Sequence, residues 1–336
     1  MTAPRPVDDP LAHARPGHGS SAPESWRPRP PSPTLGAMSA SRAVVTGDGT
    51  LLHVEIEGPD TAPLTVIFSH GFGDDLRTWR RQRAALAGSP ARRVFYDQRA
   101  FGRSAPGPDV PPSVDQLARD LHEIIGATAA GGPVVLVGHS MGGLTVQALA
   151  AQAPELFGTQ VVAVVLMAHP IRGDRLTLGL PPAAAQLVRA PVLALLRLAA
   201  RHFRRTPYLP AYFARRAFAR GTDRALWTDV AKRASANPPL VLVRYLRAVF
   251  DCDHTATLAE LGRARTVVVL GRRDRLIAPD ATRAVAEAVP GAELVELDRA
   301  GHMVHLEAPE QVNEILDDVI TTALGPGRAK HKGRSA

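Results

Sequence analysis

The chain has 336 residues, 45% of them hydrophobic, with a formal net charge of +8 and a single cysteine, Cys252. That length suits one α/β core carrying an insertion, with ample apolar surface to bury. One cysteine excludes an intrachain disulfide, no uninterrupted apolar run reaches the ~18 residues of a membrane span, and no nucleic-acid-binding motif is present, so a soluble, cytoplasmic protein with no nucleic-acid partner is expected.

Residues 1–42 are rich in Pro, Ser, Ala and Arg, lack hydrophobic periodicity, and read as a disordered leader without the ~7–15-residue apolar run of a secretory signal. Met38, near its end, is a candidate start. Residues 42–46 and 51–57, separated by Gly47-Asp48-Gly49, read as an antiparallel hairpin at a sheet edge. Leu64-Thr65-Val66-Ile67-Phe68 is the first buried strand and runs into Ser69-His70-Gly71-Phe72-Gly73. A helix over 79–86 leads to a strand over 93–97, followed by Asp97-Gln98-Arg99-Ala100-Phe101-Gly102-Arg103-Ser104. Apolar residues at Val114, Leu117, Leu121, Ile124 and Ile125 have helical spacing.

Val134-Val135-Leu136-Val137 then suits a strand buried on both faces, and Leu144 to Ala150 begins a helix. Between them lies Gly138-His139-Ser140-Met141-Gly142. A turn this sharp holds a serine in a strained conformation with its hydroxyl exposed, and side chains at 138 and 142 would collide with the neighbouring strand and helix. Ser140 is therefore the candidate nucleophile. Residues 161–167 form the next strand.

From 170 to 255 the strand pattern gives way to helical stretches broken by prolines. Pro170 to Asp253 holds 14 Arg and 1 Lys against 5 Asp and no Glu. Solvated helix faces are the simplest account of that excess, and weak association with an anionic membrane surface is the partner interaction it would favour. The core resumes with a strand over 266–270, a helix over 280–289, a strand over 293–297 and a helix over 307–322, before a basic tail read as disordered, residues 325–336.

Alternating strands and helices imply a mostly parallel sheet whose loops gather at the strands' C-terminal ends. A serine hydroxyl needs a base, and that base needs an orienting acid. Two loops downstream of Ser140 offer them: Gly271-Arg272-Arg273-Asp274 and Gly301-His302-Met303-Val304-His305. Asp298 and His305 are the rival acid and base, and His139 is expected to pack inside the turn.

These motifs jointly resemble the α/β-hydrolase fold family over about residues 43–324, and within it the bacterial esterase, lipase and monoacylglycerol-lipase-like members. The resemblance rests on His70-Gly71, Asp97-Gln98-Arg99-x-x-Gly102-x-Ser104, Gly138-x-Ser140-x-Gly142, Gly271-x-x-Asp274-x-x-x-x-Pro279 and Gly301-His302. It implies an eight-stranded, mostly parallel sheet formed by 43–169 and 256–324, with 170–255 as a helical cap. It also implies Ser140 as nucleophile, His302 as base, Asp274 as its orienting acid, and the N–H groups of Phe72 and Met141 as oxyanion donors. His70 is expected to shape the oxyanion loop. Ala100 departs from the family's usual glycine.

Cleavage of a carboxylic ester with a lipophilic acyl group, without metal or cofactor, is the expected activity. Thioester, C–C bond and perhydrolase chemistry use the same machinery, and a non-catalytic ligand-binding or membrane-surface protein is the alternative outside enzymes. Oligomeric state is left open.

Overall fold

The computed structural model describes residues 40–177, 180–202 and 208–325. The segment expected as a leader, up to residue 39, and the tail from residue 326 lie outside the described residues.

In chain order the strands are β1 (Ala40–Val45), β2 (Leu51–Glu57), β3 (Thr65–Ser69), β4 (Arg92–Tyr96), β5 (Val134–His139), β6 (Val161–Met167), β7 (Arg265–Gly271) and β8 (Glu293–Leu297). The helices are α1 (Arg80–Ala85), α2 (Val114–Ala129), α3 (Met141–Gln152), α4 (Pro182–His202), α5 (Tyr208–Ala217), α6 (Arg224–Ser235), α7 (Pro239–Phe250), α8 (Pro279–Ala288), α9 (Val304–Glu307) and α10 (Pro309–Leu324). The eight strands form one sheet in the order β1-β2-β4-β3-β5-β6-β7-β8. The pairs β1–β2 and β2–β4 are antiparallel and the others parallel.

Period-two side-chain alternation divides each central strand between two apolar layers. Val134 and Leu136 join Leu121, Leu144, Leu149 and Val285 on the side of α2, α3 and α8. Val135 and Val137 face the other way, onto Phe68, Trp79, Val312 and Leu316. Burial on both faces explains why β5 reads as an unbroken apolar run.

Three local expectations needed correction. The first strand begins at Ala40, inside the stretch whose composition suggested a leader to residue 42, and Ala40 to Arg42 pair with Ile56 to Val54. An edge strand tolerates such polar, exposed residues because only its backbone needs a partner. The helix expected over 79–86 is a 3-10 turn, Leu76–Trp79, followed by the short α1. The last helix is two, α9 and α10, because Pro309 has no N–H to continue the ladder and starts a new helix instead.

Between β6 and β7 lie α4 to α7. Ala214, Ala217, Phe218, Val230 and Ala231 of this segment pack on Leu276, Met303 and Leu306 of the core. Helix α4 is different: Leu187, Leu195 and Leu198 are 81%, 65% and 54% exposed. Its window Ala183–Ala200 has a mean hydropathy of 1.4, long and apolar enough to cross a membrane by composition. Gln186, Arg189 and Arg197 interrupt it, which is why no continuous apolar run marked it in the sequence.

Candidate active site

Ser140 sits on the turn between β5 and α3 with φ 53° and ψ −116°, a left-handed backbone that costs a non-glycine residue on the order of 1–3 kcal/mol. The surroundings enforce it. A Cβ at Gly138 would lie 2.7 Å from the Gly142 carbonyl oxygen, and one at Gly142 would lie 2.2 Å from the Ser69 carbonyl oxygen, so helix and strands close in only where side chains are missing. The Ser140 N–H donates to the Met167 carbonyl at 2.9 Å, tying the turn to β6.

The loops after β7 and β8 bring two more groups to this turn. Asp274 Oδ1 accepts the N–H groups of Leu276 (2.8 Å) and Ile277 (3.0 Å). Its Oδ2 accepts from His302 Nδ1 at 2.7 Å, and Ser140 Oγ donates to His302 Nε2 at 3.0 Å. Both members of the His302–Asp274 pair are nearly buried, at 6% and 3% side-chain exposure. With Oδ1 already accepting two donors, Asp274 fits the acceptor-only carboxylate, which fixes the imidazole proton on Nδ1 and leaves Nε2 free to take one. The His302 backbone is held as well, its N–H donating to Ala217 at 2.8 Å and its carbonyl accepting from His139 Nε2 at 3.0 Å.

The rivals lie elsewhere. Asp298 is 79% exposed and pairs with Arg272 at 3.3 Å. His305 is fully buried, with Nε2 2.8 Å from Thr78 Oγ1 and its ring 4.7 Å from that of Trp79. Burial depresses the His139 imidazole to about 3 and holds His305 well below its ordinary value, so both stay neutral.

The loop after β3 passes beside the serine: a Cβ on Gly71 would lie 3.3 Å from Ser140 Cβ. Neither Phe72 nor Met141 donates its N–H to a protein acceptor among the described residues, and Met141 opens α3, where such donors are unpaired by construction. One backbone N–H from the start of α3 and one from the loop after β3 can stabilise an oxyanion formed at Ser140. His70 shapes this loop from below. Its Nδ1–H donates to Gly71 O (2.8 Å), and its Nε2 accepts from Gln98 N (2.9 Å). Gln98 returns its amide N–H to the His70 carbonyl and takes a hydrogen bond from Thr145 of α3 at 3.0 Å. Ala100 has φ 69° in the turn closed by Phe101 N–H to Gln98 O, the conformation glycine would adopt without strain.

The serine opens on a cavity of about 170 Å³, lined from the core by Phe72, Met141, Leu144, Leu276 and Ile277 and from the helical segment by Leu196, Phe213, Val230, Leu242 and Leu246. Gln98 stood in the motif after β4 with no role assigned, and sequence reasoning did not single out three further groups that fix these loops: Asp74, Arg233 and Glu307. The Glu307 carboxylate accepts from Gly301 N (3.0 Å) and Ala219 N (2.8 Å), joining the His302 loop to the helical segment. None had a local signal, since each partner lies dozens of residues away or in another loop. Among the described residues no group of three His, Cys, Asp or Glu side chains is placed to hold a metal ion.

Residues 66–315 match the model of the alpha/beta hydrolase family. A Rhizobium rhizogenes (strain K84) protein, provisionally named carbamate hydrolase RutD, is 33% identical over 272 residues, covering 78% of this chain and 95% of that protein. A stronger local match, 36% over 116 residues to the like-named protein of Variovorax paradoxus, covers only 41% of that relative, and a match to a rice protein provisionally named esterase PIR7A covers 37% of it. Among solved structures, a thermophilic esterase from Thermogutta terrifontis superposes with a TM-score of 0.69 at 22% identity, over 84% of this chain and 99% of that one. The enol-lactonase of Burkholderia xenovorans LB400 superposes with 0.68 at 24%, over 83% and 100%. At those identities the structures speak for the fold, and it is the family match across most of the chain, joined by the full-length Rhizobium relative, that makes this chain a member of the α/β hydrolase family.

Proposed function

We propose that the protein is a serine hydrolase that cleaves carboxylic esters of lipophilic acids through an acyl-Ser140 intermediate. The observation that carries this reading is the hydrogen-bonded line Asp274–His302–Ser140 opening on an apolar cavity. His302 Nε2 takes the hydroxyl proton as Ser140 Oγ attacks the ester carbonyl, and the N–H groups of Phe72 and Met141 receive the oxyanion. The imidazolium, stabilised by Asp274, gives that proton to the departing alkoxide. Water then repeats the cycle on the acyl-enzyme. Residues 170–255 act as a cap that supplies most of the apolar wall.

Each acyl methylene buried against that wall contributes ~0.8 kcal/mol, so kcat/KM is expected to rise about fourfold per carbon until the cavity is full. A series of p-nitrophenyl esters from C2 to C12, with Ser140→Ala as blank and thioester, carbamate and lactone substrates alongside, tests both bond and chain length. Activity confined to another acyl bond would replace the ester reading, and a wild type that fails to label with a fluorophosphonate would favour a non-catalytic binding role.

A second reading, attachment to an anionic membrane surface, is supported by the outward leucines of α4 and the absence of any carboxylate in that helix. Co-sedimentation with anionic and neutral vesicles, with Leu187→Glu as control, tests it: no pelleting with either vesicle would remove it.

A further inference from the structure

The loop carrying the Phe72 N–H is gripped from two sides. The core side, through His70, Gln98 and Thr145, is described above. The other side comes from α6 and the residues after it. Asp74 closes the turn Gly71-Phe72-Gly73-Asp74, its N–H donating to Gly71 O at 3.3 Å, with Gly73 in the left-handed region at φ 72°. The Asp74 carboxylate receives Nε–H and Nη2–H of Arg233, the second at 3.4 Å. Both side chains are 4% exposed. Arg233 Nη1 donates to Asp229 one turn earlier in α6 at 2.6 Å, and Asp229 also pairs with Arg80 of α1. Asn237 Nδ2 donates to the Gly73 carbonyl at 3.0 Å. Two consecutive residues of the turn are thus held, one by side chain and one by backbone, from a single short stretch of the helical segment.

Stability is a poor explanation for this pair. Removing a guanidinium and a carboxylate from water costs about as much as their attraction returns, and well-packed apolar replacements are often neutral or better. Burial opposes ionisation of Asp74, yet the Arg233 charge outweighs it and holds the carboxyl below its ordinary range, so the pair persists as ions. What an ion pair supplies and an apolar contact lacks is direction. Arg233 presents fixed, planar donors, and a carboxylate bound to them can take few orientations.

We propose that Arg233 and Asn237 are positioning residues that aim the Phe72 N–H at the oxyanion, so that the helical segment sets catalytic rate as well as the shape of the acyl cavity. The inference rests on the esterase reading above. Its consequence is a split: loosening the turn weakens binding of the tetrahedral oxyanion and leaves ground-state binding of the ester in place.

The test compares wild type with Arg233→Met/Asp74→Leu, which removes both charges, and with Asn237→Ala, which leaves no unpaired buried charge if the double variant fails to fold. Thermal stability, kcat and KM for p-nitrophenyl butyrate, and Ki for a boronic acid that mimics the tetrahedral state are measured together. The expected result for the double variant is a Tm near wild type, kcat lower by about 10²-fold, the size seen when one oxyanion donor is lost, boronate affinity weakened by the same factor, and KM within about twofold. Asn237→Ala should show the same pattern at roughly a tenth of the effect. A kcat and boronate Ki at wild-type values in a folded double variant, or in Asn237→Ala where the double variant does not fold, would overturn the inference, as would a fall in kcat with no change in boronate affinity. An inactive wild type would overturn the esterase reading and this inference with it, whereas an active wild type with equally active variants overturns this inference alone.

Discussion

Asp274→Asn should disable the protein through a tautomer rather than through lost structure. The carboxylate divides its oxygens: Oδ1 takes the Leu276 and Ile277 N–H groups, and Oδ2 takes His302 Nδ1–H. An asparagine must keep its carbonyl oxygen on the two backbone donors, because turning the NH₂ toward them would strand two buried N–H groups at about 1–3 kcal/mol each. The NH₂ therefore faces His302. Nδ1 must then accept, the ring proton moves to Nε2, and Nε2 points that proton at Ser140 Oγ instead of receiving one. A base so blocked is expected to lower kcat about 10⁴-fold, or about 5–6 kcal/mol on the barrier. Packing is preserved, so Tm should stay within a few degrees. Steady-state hydrolysis of p-nitrophenyl butyrate, with fluorophosphonate labelling to count competent serines, measures the loss. Asp298→Asn, altering an exposed carboxylate, should stay within about twofold of wild type. If Asp274→Asn lost less than tenfold while folded, the assignment of the acid would be refuted.

Ser140→Ala and His302→Ala should each abolish nearly all hydrolysis and the double variant should lose little more, because the groups act as a unit; additive losses in kcat would contradict that. His305→Ala should keep kcat near wild type but cost about 2–4 kcal/mol of stability in a urea titration, since it empties a site packed against Trp79 and strands Thr78. Ala100→Gly should raise stability by about 0.5–1 kcal/mol by relieving the left-handed alanine, measured as a higher urea midpoint at unchanged slope. Acid should destabilise the fold through its buried imidazoles. In the folded state burial holds His139 and His169 near 3, against an ordinary 6.5. Between those values the unfolded chain binds more protons, so stability is complete above about pH 6.5 and falls as pH drops toward 3, by about 1.4 kcal/mol per pH unit for each such group. His169→Leu should flatten that profile, and an unchanged slope would show that His169 is not the source.

What the sequence disclosed was local. The strand, turn and helix around Ser140 were readable because a doubly buried strand is continuously apolar and because a close approach of helix and strand requires glycine at 138 and 142. Asp274 and His302 were legible as residues just past apolar strands. The support of the Phe72 loop was not. Asp74 and Arg233 are 159 residues apart, and an arginine on an amphipathic helix looks the same whether it faces water or a buried carboxylate. The outward leucines of α4 were hidden differently, because helical spacing alone does not say which apolar residues meet a partner, and on α4 some line the cavity while others face solvent. Pro309 carried a signal for the break before α10 that the helix expected over 307–322 ran through, and the consequence, a separate α9 carrying Glu307 to the His302 loop, depended on tertiary partners.

The strand order has a consequence for synthesis. Strand β6 lies between β5 and β7, but β7 begins about a hundred residues after β6, once α4 to α7 have been made. While the chain emerges N-terminus first at ~5–20 residues per second, the edge of β6 stays open for roughly 5–20 s. That edge is Val-Val-Ala-Val-Val-Leu-Met, without charge, proline or glycine, the composition that pairs readily with a like strand from another chain. The helical segment inserted at this point supplies one wall of the cavity beside Ser140 and, by the same act, lengthens the interval in which nascent chains can join edge to edge. Until β7 arrives, residues 161–167 are the stretch of this sheet most open to pairing with another chain.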